Sequence, residues 1–88
     1  MEKRIGVALI QVENRENVQL LNDIISKHSQ IIIGRQGLPR GNGQNIISLV
    51  LEGSTDEIGA LTGQIGRLTG IEIKSVLTKY KEQSDAEV

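Results

Sequence analysis

The chain has 88 residues, enough for one compact core and too few for two, and with 38% hydrophobic and 24% charged residues it has the composition of a folding chain. A net charge of −1 supplies no global attraction for nucleic acid or an anionic membrane surface. The absence of cysteine excludes disulfides, thiolate metal sites and cysteine nucleophiles.

Phe and Trp are missing and Tyr80 is the one tyrosine, so the core has to be aliphatic. The opening Met1-Glu2-Lys3-Arg4 leads directly into a strand-like stretch, with no apolar run long enough for a signal peptide or a membrane span. A soluble cytoplasmic protein is expected, with no membrane partner.

In chain order, Arg4 to Glu13 reads as a first strand, and Asn14 offers an N-cap for a helix reaching His28. Ile31 to Leu38 reads as a second strand. A glycine-rich stretch with the turn signal Asn42-Gly43 then leads to a third strand at Ile46 to Glu52, so the two should form a hairpin. Ser54 and Glu57 have capping-box spacing ahead of a helix to Leu68, Gly70 stands where a helix C-terminus closes, and Ile71 to Leu77 is a fourth strand.

The second half repeats the first. A shift of 40 residues lays Val7, Leu9 and Asn14 on Ile47, Leu49 and Ser54, the helical Val18, Leu21 and Ile25 on Ile58, Leu61 and Ile65, and Ile31 and Ile33 on Ile71 and Ile73. The order βαββαβ, read as two right-handed βαβ halves, predicts an α+β ferredoxin-like fold. Both helices then lie on one face of a four-stranded antiparallel sheet. The domain is expected to span 1–79, followed by a polar, mobile tail over 80–88.

Strand alternation places Ile5, Val7 and Leu9, with Ile47, Leu49 and Leu51, under the helices. The helix-free face then carries Gly6, Ala8, Ile10 and Val12, with Ile32, Ile46, Ser48 and Val50. A solvated antiparallel face normally alternates to polar side chains, as Glu72 and Lys74 do in the fourth strand, but the central strands do not. Burying an aliphatic side chain is worth roughly 1.5–3 kcal/mol, so this face should be covered. A second copy is the preferred cover, giving a dimer or tetramer, because Gly6, Ala8 and Ser48 permit close approach and two-fold pairing is common. Residues 78–88 folding back, or a different partner protein, are the alternatives.

Between the second and third strands, Gly34 to Gly43 combines four glycines with Arg35 and Arg40, and could cradle a carboxylate or phosphate or simply be a flexible hairpin. Asn14, Arg35 and Arg40 are the candidate ligand contacts. Gly59, Gly63 and Gly66 form a stripe on the second helix, suited to close packing against a neighbour or to a shallow groove. His28 is the only histidine and lacks the partners of a metal site or a catalytic constellation. No catalytic residue, metal or cofactor is therefore assigned. RNA-binding domains of this topology stack bases on strand aromatics, and metal chaperones of this topology use paired cysteines; this chain has neither in its strands.

Four stretches carry a further likeness: Arg4-Ile5-Gly6-Val7, Ile32 to Pro39 with its Gly-Arg-Gln-Gly-Leu-Pro, Asp56-Glu57-Ile58, and Gly66-Arg67-Leu68-Thr69-Gly70-Ile71. Together they resemble the iron-only hydrogenase system regulators, over about Glu2 to Lys79. That family is similar to ACT domains and to the C-terminal domain of nickel-responsive repressors, which implies regulation through oligomerisation and a small-molecule effector. Two departures narrow the expectation. Glu13 to Asn17 stands where amino-acid-binding ACT domains usually have a Pro-Gly-like step, and His28 alone cannot supply the several histidines and the cysteine of nickel sensors. No DNA-binding segment precedes the first strand, so direct nucleic-acid contact is not expected. The sequence thus predicts a non-enzymatic, oligomeric ACT-like regulator, with a purely structural protein–protein interaction module as the alternative.

Overall fold

The computed structural model describes residues 3–78, in the order β1 (Arg4–Val12), α1 (Val18–Lys27), a 3-10 turn (Ser29–Ile31), β2 (Ile32–Gly41), β3 (Gln44–Gly53), α2 (Thr55–Gly66) and β4 (Ile71–Leu77). The tail assigned to 80–88 lies outside the described residues. All pairings are antiparallel and the sheet order is β2-β3-β1-β4, the expected ferredoxin-like arrangement.

Each helix turns an apolar stripe onto the same sheet face. Leu21 and Ile25 of α1, and Ile58, Leu61 and Ile65 of α2, recur at the three- and four-residue spacing of one helical side and are all buried. The helices begin differently. Ser54 Oγ accepts from Glu57 N at 3.1 Å while Glu57 Oε1 accepts from Ser54 N at 2.9 Å, the predicted capping box. At α1 the predicted cap is displaced: Asn14 Oδ1 accepts from Glu16 N at 2.9 Å in a local turn, and the helix starts only after Asn17, whose side chain makes no cap. Asn17 Nδ2 instead donates to Thr69 O at 2.9 Å, and Glu13 N donates to Gly70 O at 2.9 Å, tying this connection to the turn before β4.

The hairpin is built as its turn residues require. Gly41 pairs with Gln44 across Asn42 (φ 54) and Gly43 (φ 77), and both loop residues occupy the left-handed region of a type I′ turn. Irregularities between Ile32 and Gly34 and between Pro39 and Gly41 break the β2–β3 register.

The face assignment of β1 is inverted relative to the sequence expectation. Gly6, Ala8, Ile10 and Val12 are buried beneath the helices, whereas Ile5, Val7 and Leu9 stand on the helix-free side. Pairing decides the matter: Ala8 sits opposite Leu49 and Ile10 opposite Ile47, and directly opposed residues share a face. Alternation could not decide, because β1 is apolar on both sides. The ungapped 40-residue shift then matched apolar types across strands that are out of phase, since residues 13–17 connect β1 to α1 whereas Ser54 alone connects β3 to α2. The small residues belong inside. A β-carbon built on Gly6 would lie 2.6 Å from Leu77 Cδ2 and 3.1 Å from Val76 O. Ile32 is corrected as well, because it pairs with Leu51 and packs on the core. Ile46, Ser48 and Val50 of β3 lie on the helix-free face as expected, alternating with buried Ile47, Leu49 and Leu51.

Candidate functional site

Two surfaces compete as the working part of the domain. The first is the helix-free sheet face, whose rows follow from the registers. Val76, Val7, Val50 and Gly34 form one row across all four strands, bordered by Thr78, Ile5 and Glu52 on one side and by Lys74, Leu9, Ser48 and Gln36 on the other. The next row is Glu72, Gln11, Ile46 and Leu38. The apolar centre is open to solvent in a single chain: Val76 is 68% exposed, Leu9 53%, Val7 45%, Ile5 40% and Val50 39%. The β4 end adds neighbouring charges of both signs, Glu72 and Lys74.

The second surface is on the helix side, where the β2–β3 hairpin runs past the start of α1. Three adjoining depressions lie around it. One, of about 270 Å³, lies at the end of the sheet, where Gln11 and Ile46 of the helix-free face meet Glu13 and Arg40. The widest lies between Arg15 and the Asn42-Gly43 turn. The third, of about 260 Å³, lies between α1 and β2 and has Arg35 in its wall.

The three predicted ligand contacts are not brought together. Asn14 is held beside Gly70, where both atoms of its amide lie 3.0 Å from the position of a β-carbon, so its side chain is occupied in fixing the β1–α1 connection. Arg35 is on the helix side, opposite buried Leu49. Arg40 falls in the second irregularity of β2, beside a different depression. Sequence reasoning missed Arg15, whose Cγ and Nε lie 3.4 and 3.5 Å from a β-carbon position on Gly43 and so cover the hairpin tip. Only the spatial meeting of hairpin and α1 identifies it.

The remaining candidates have structural surroundings. His28 closes α1 with its Nδ1 2.9 Å from Ile24 O; a carbonyl can only accept, so the ring donates from Nδ1. Gly59 and Gly63 of α2 are exposed with no atom within 4 Å of a β-carbon position, and Gly66 meets only Ile73 Cγ2 at 3.7 Å, so the stripe does not pack closely on α1. Among the described residues no three His, Asp or Glu side chains are grouped to hold a metal ion, and no helix is long and apolar enough to cross a membrane.

Comparison with known proteins adds a family and a fold. A family model described as "TM1266-like: Iron-only hydrogenase system regulator, putative" matches residues 4–75. The solved structure of protein TM1266 from Thermotoga maritima is similar with a TM-score of 0.83 and 38% identity, covering 89% of this chain and 100% of that one. CutA1 from Oryza sativa matches at a TM-score of 0.51 and 17% identity over 89% of this chain and 83% of its own. A dimeric ferredoxin-like protein from an uncultured marine organism matches at 0.51 and 10%, over 93% and 97%. These last two speak to the fold alone. No curated protein matches the chain.

Proposed function

The chain belongs to this TM1266-like family of iron-only hydrogenase system regulators, and we propose that it is a non-enzymatic, ACT-like regulator that works as a homo-oligomer and responds to a small-molecule effector. The observation that carries the reading is the apolar row Val76–Val7–Val50 with Ile5 and Leu9 beside it, on the sheet face that neither helix covers. Burial of each such side chain is worth roughly 1.5–3 kcal/mol when complete, so a partner surface has much to gain here.

A second copy is the partner this face suits. A two-fold axis through its centre sets apolar rows against apolar rows and lets Glu72 and Lys74 of one copy meet opposite charges on the other. The assembly face thus runs through Ile5, Val7 and Leu9 together with Ile46, Ser48 and Val50, in place of the β1 set predicted from alternation. Regulation through assembly needs neither membrane nor direct nucleic-acid contact, and we place the protein in the cytoplasm.

Solution mass by light scattering tests the reading. The wild-type chain is expected as a dimer or tetramer at micromolar concentration, and Val7→Lys with Leu9→Glu as a folded single subunit by circular dichroism. A wild-type chain that is folded and monomeric at these concentrations overturns it. Thermal shift across amino acids, nucleotides and divalent metals tests the effector, because a ligand of the native state raises Tm with concentration. An oligomer that responds to none of them is a structural interaction module.

A further inference from the structure

The internal repeat provides a like-for-like control for the groove between α1 and β2. In the second half, edge strand β4 turns Ile71, Ile73 and Leu77 toward the helices, and all three join the core. In the first half, edge strand β2 turns Arg35, Gly37 and Pro39 to the same side, opposite Leu49, Ile47 and Asn45. The irregularity after Ile32 causes the difference, leaving Ile33, the counterpart of Ile73, 57% exposed. A gap of about 260 Å³ remains beneath α1, with Leu21 and Val18 on one wall, Pro39 on the other and Ile47 at its floor.

Gly37 is unexplained by folding. Its φ is not positive and a β-carbon there meets no atom within 4 Å, so neither backbone conformation nor packing requires glycine. Glycine inside a strand weakens it and often marks a site where another group approaches. Arg35 and Asn22 also line this gap, and among the described residues no Asp or Glu does.

We propose that this groove binds a small aliphatic carboxylate, its chain lying over Leu21, Ile47 and Gly37 and its carboxylate on Arg35, with Asn22 donating alongside. The volume falls just below the ~300–1,000 Å³ of sites for drug-sized ligands, so it suits a short chain bearing one charged end. The inference rests on the regulator reading for its role, but the site lies on the helix side of the sheet and is tested separately from assembly.

Titration of the isotopically labelled full chain with hexanoate, followed by amide ¹H–¹⁵N correlation spectra, is the test. Saturable shifts are expected at Leu21, Asn22, Arg35 and Gly37. Hexanamide, which keeps the chain and loses the charge, should bind about tenfold or more weakly, and Arg35→Gln should lose hexanoate by a similar factor. Gly37→Val should abolish binding while raising Tm, because a β-branched residue favours the strand and fills the groove. Shifts centred elsewhere, no saturable shift, or unchanged binding in Arg35→Gln and Gly37→Val overturns the proposal. Light scattering on the same unliganded samples reports assembly independently, so the site and the oligomer can fail separately.

Discussion

The two βαβ halves share a topology but divide their tasks. In the second, Ser54 alone joins β3 to a helix with a capping box, and β4 buries Ile71 and packs the half-buried Ile73 against the core beneath the helices. In the first, residues 13–17 join β1 to a helix without a side-chain cap, and β2 lays Arg35, Gly37 and Pro39 along an open groove. A repeat therefore fixes where elements go without fixing what their surfaces do. One half closes the core and the other retains a concave, polar-rimmed surface.

Truncation of equivalent leucines should expose this asymmetry most strongly. Leu21 and Leu61 are 1% and 0% exposed, and buried Leu→Ala changes cost about 2–5 kcal/mol depending on how well the site relaxes. Leu61→Ala leaves an enclosed cavity and should fall high in that range; Leu21→Ala opens onto the groove, where water can enter, and should fall lower. Urea denaturation of both variants measures the difference, and a larger loss for Leu21→Ala breaks the comparison. Gly6→Ala is expected to cost about 1–3 kcal/mol, because the new methyl overlaps Leu77 and approaches the Val76 carbonyl across β1 and β4. An unchanged midpoint would show that β4 can shift outward freely.

The helix starts provide the next contrast. Ser54→Ala removes a reciprocal cap and should cost about 1 kcal/mol. Asn17→Ala removes one exposed bond to Thr69 O, worth about 0.5 kcal/mol at most in so open a place. Equal losses would mean that α1 is held at its start as firmly as α2.

Element order, the Asn42-Gly43 turn and the Ser54–Glu57 box were legible because each depends on residues close in sequence. The face of β1 was not. Ile5, Val7 and Leu9 are as apolar as Ala8, Ile10 and Val12, so only the pairing of Ala8 with Leu49 assigns them, and that pairing spans 41 residues. The same limit hid the groove, which arises where an irregularity in β2 moves Ile33 outward and brings Arg35 and Gly37 beneath α1. Arg35 and Arg40 were recognisable as charged residues in a glycine-rich stretch. Their separation into different depressions was not, because it depends on the local break after Pro39.

The smallest effect concerns the interiors of the two helices. Val18–Lys27 contains no glycine, while Thr55–Gly66, the better capped helix, has Gly59 and Gly63 exposed with empty space above them. Neither has a positive φ, so alanine fits both positions, and Gly63→Ala should stabilise the chain by about 0.4–1 kcal/mol through the entropy of the unfolded state and helix propensity. The gain should appear as a higher Tm with the oligomer unchanged, since the proposed assembly face lies across the sheet from α2. A lower Tm together with a smaller assembly would instead place another chain's backbone on the glycine stripe, and the second half would then carry an interface rather than only closing the core.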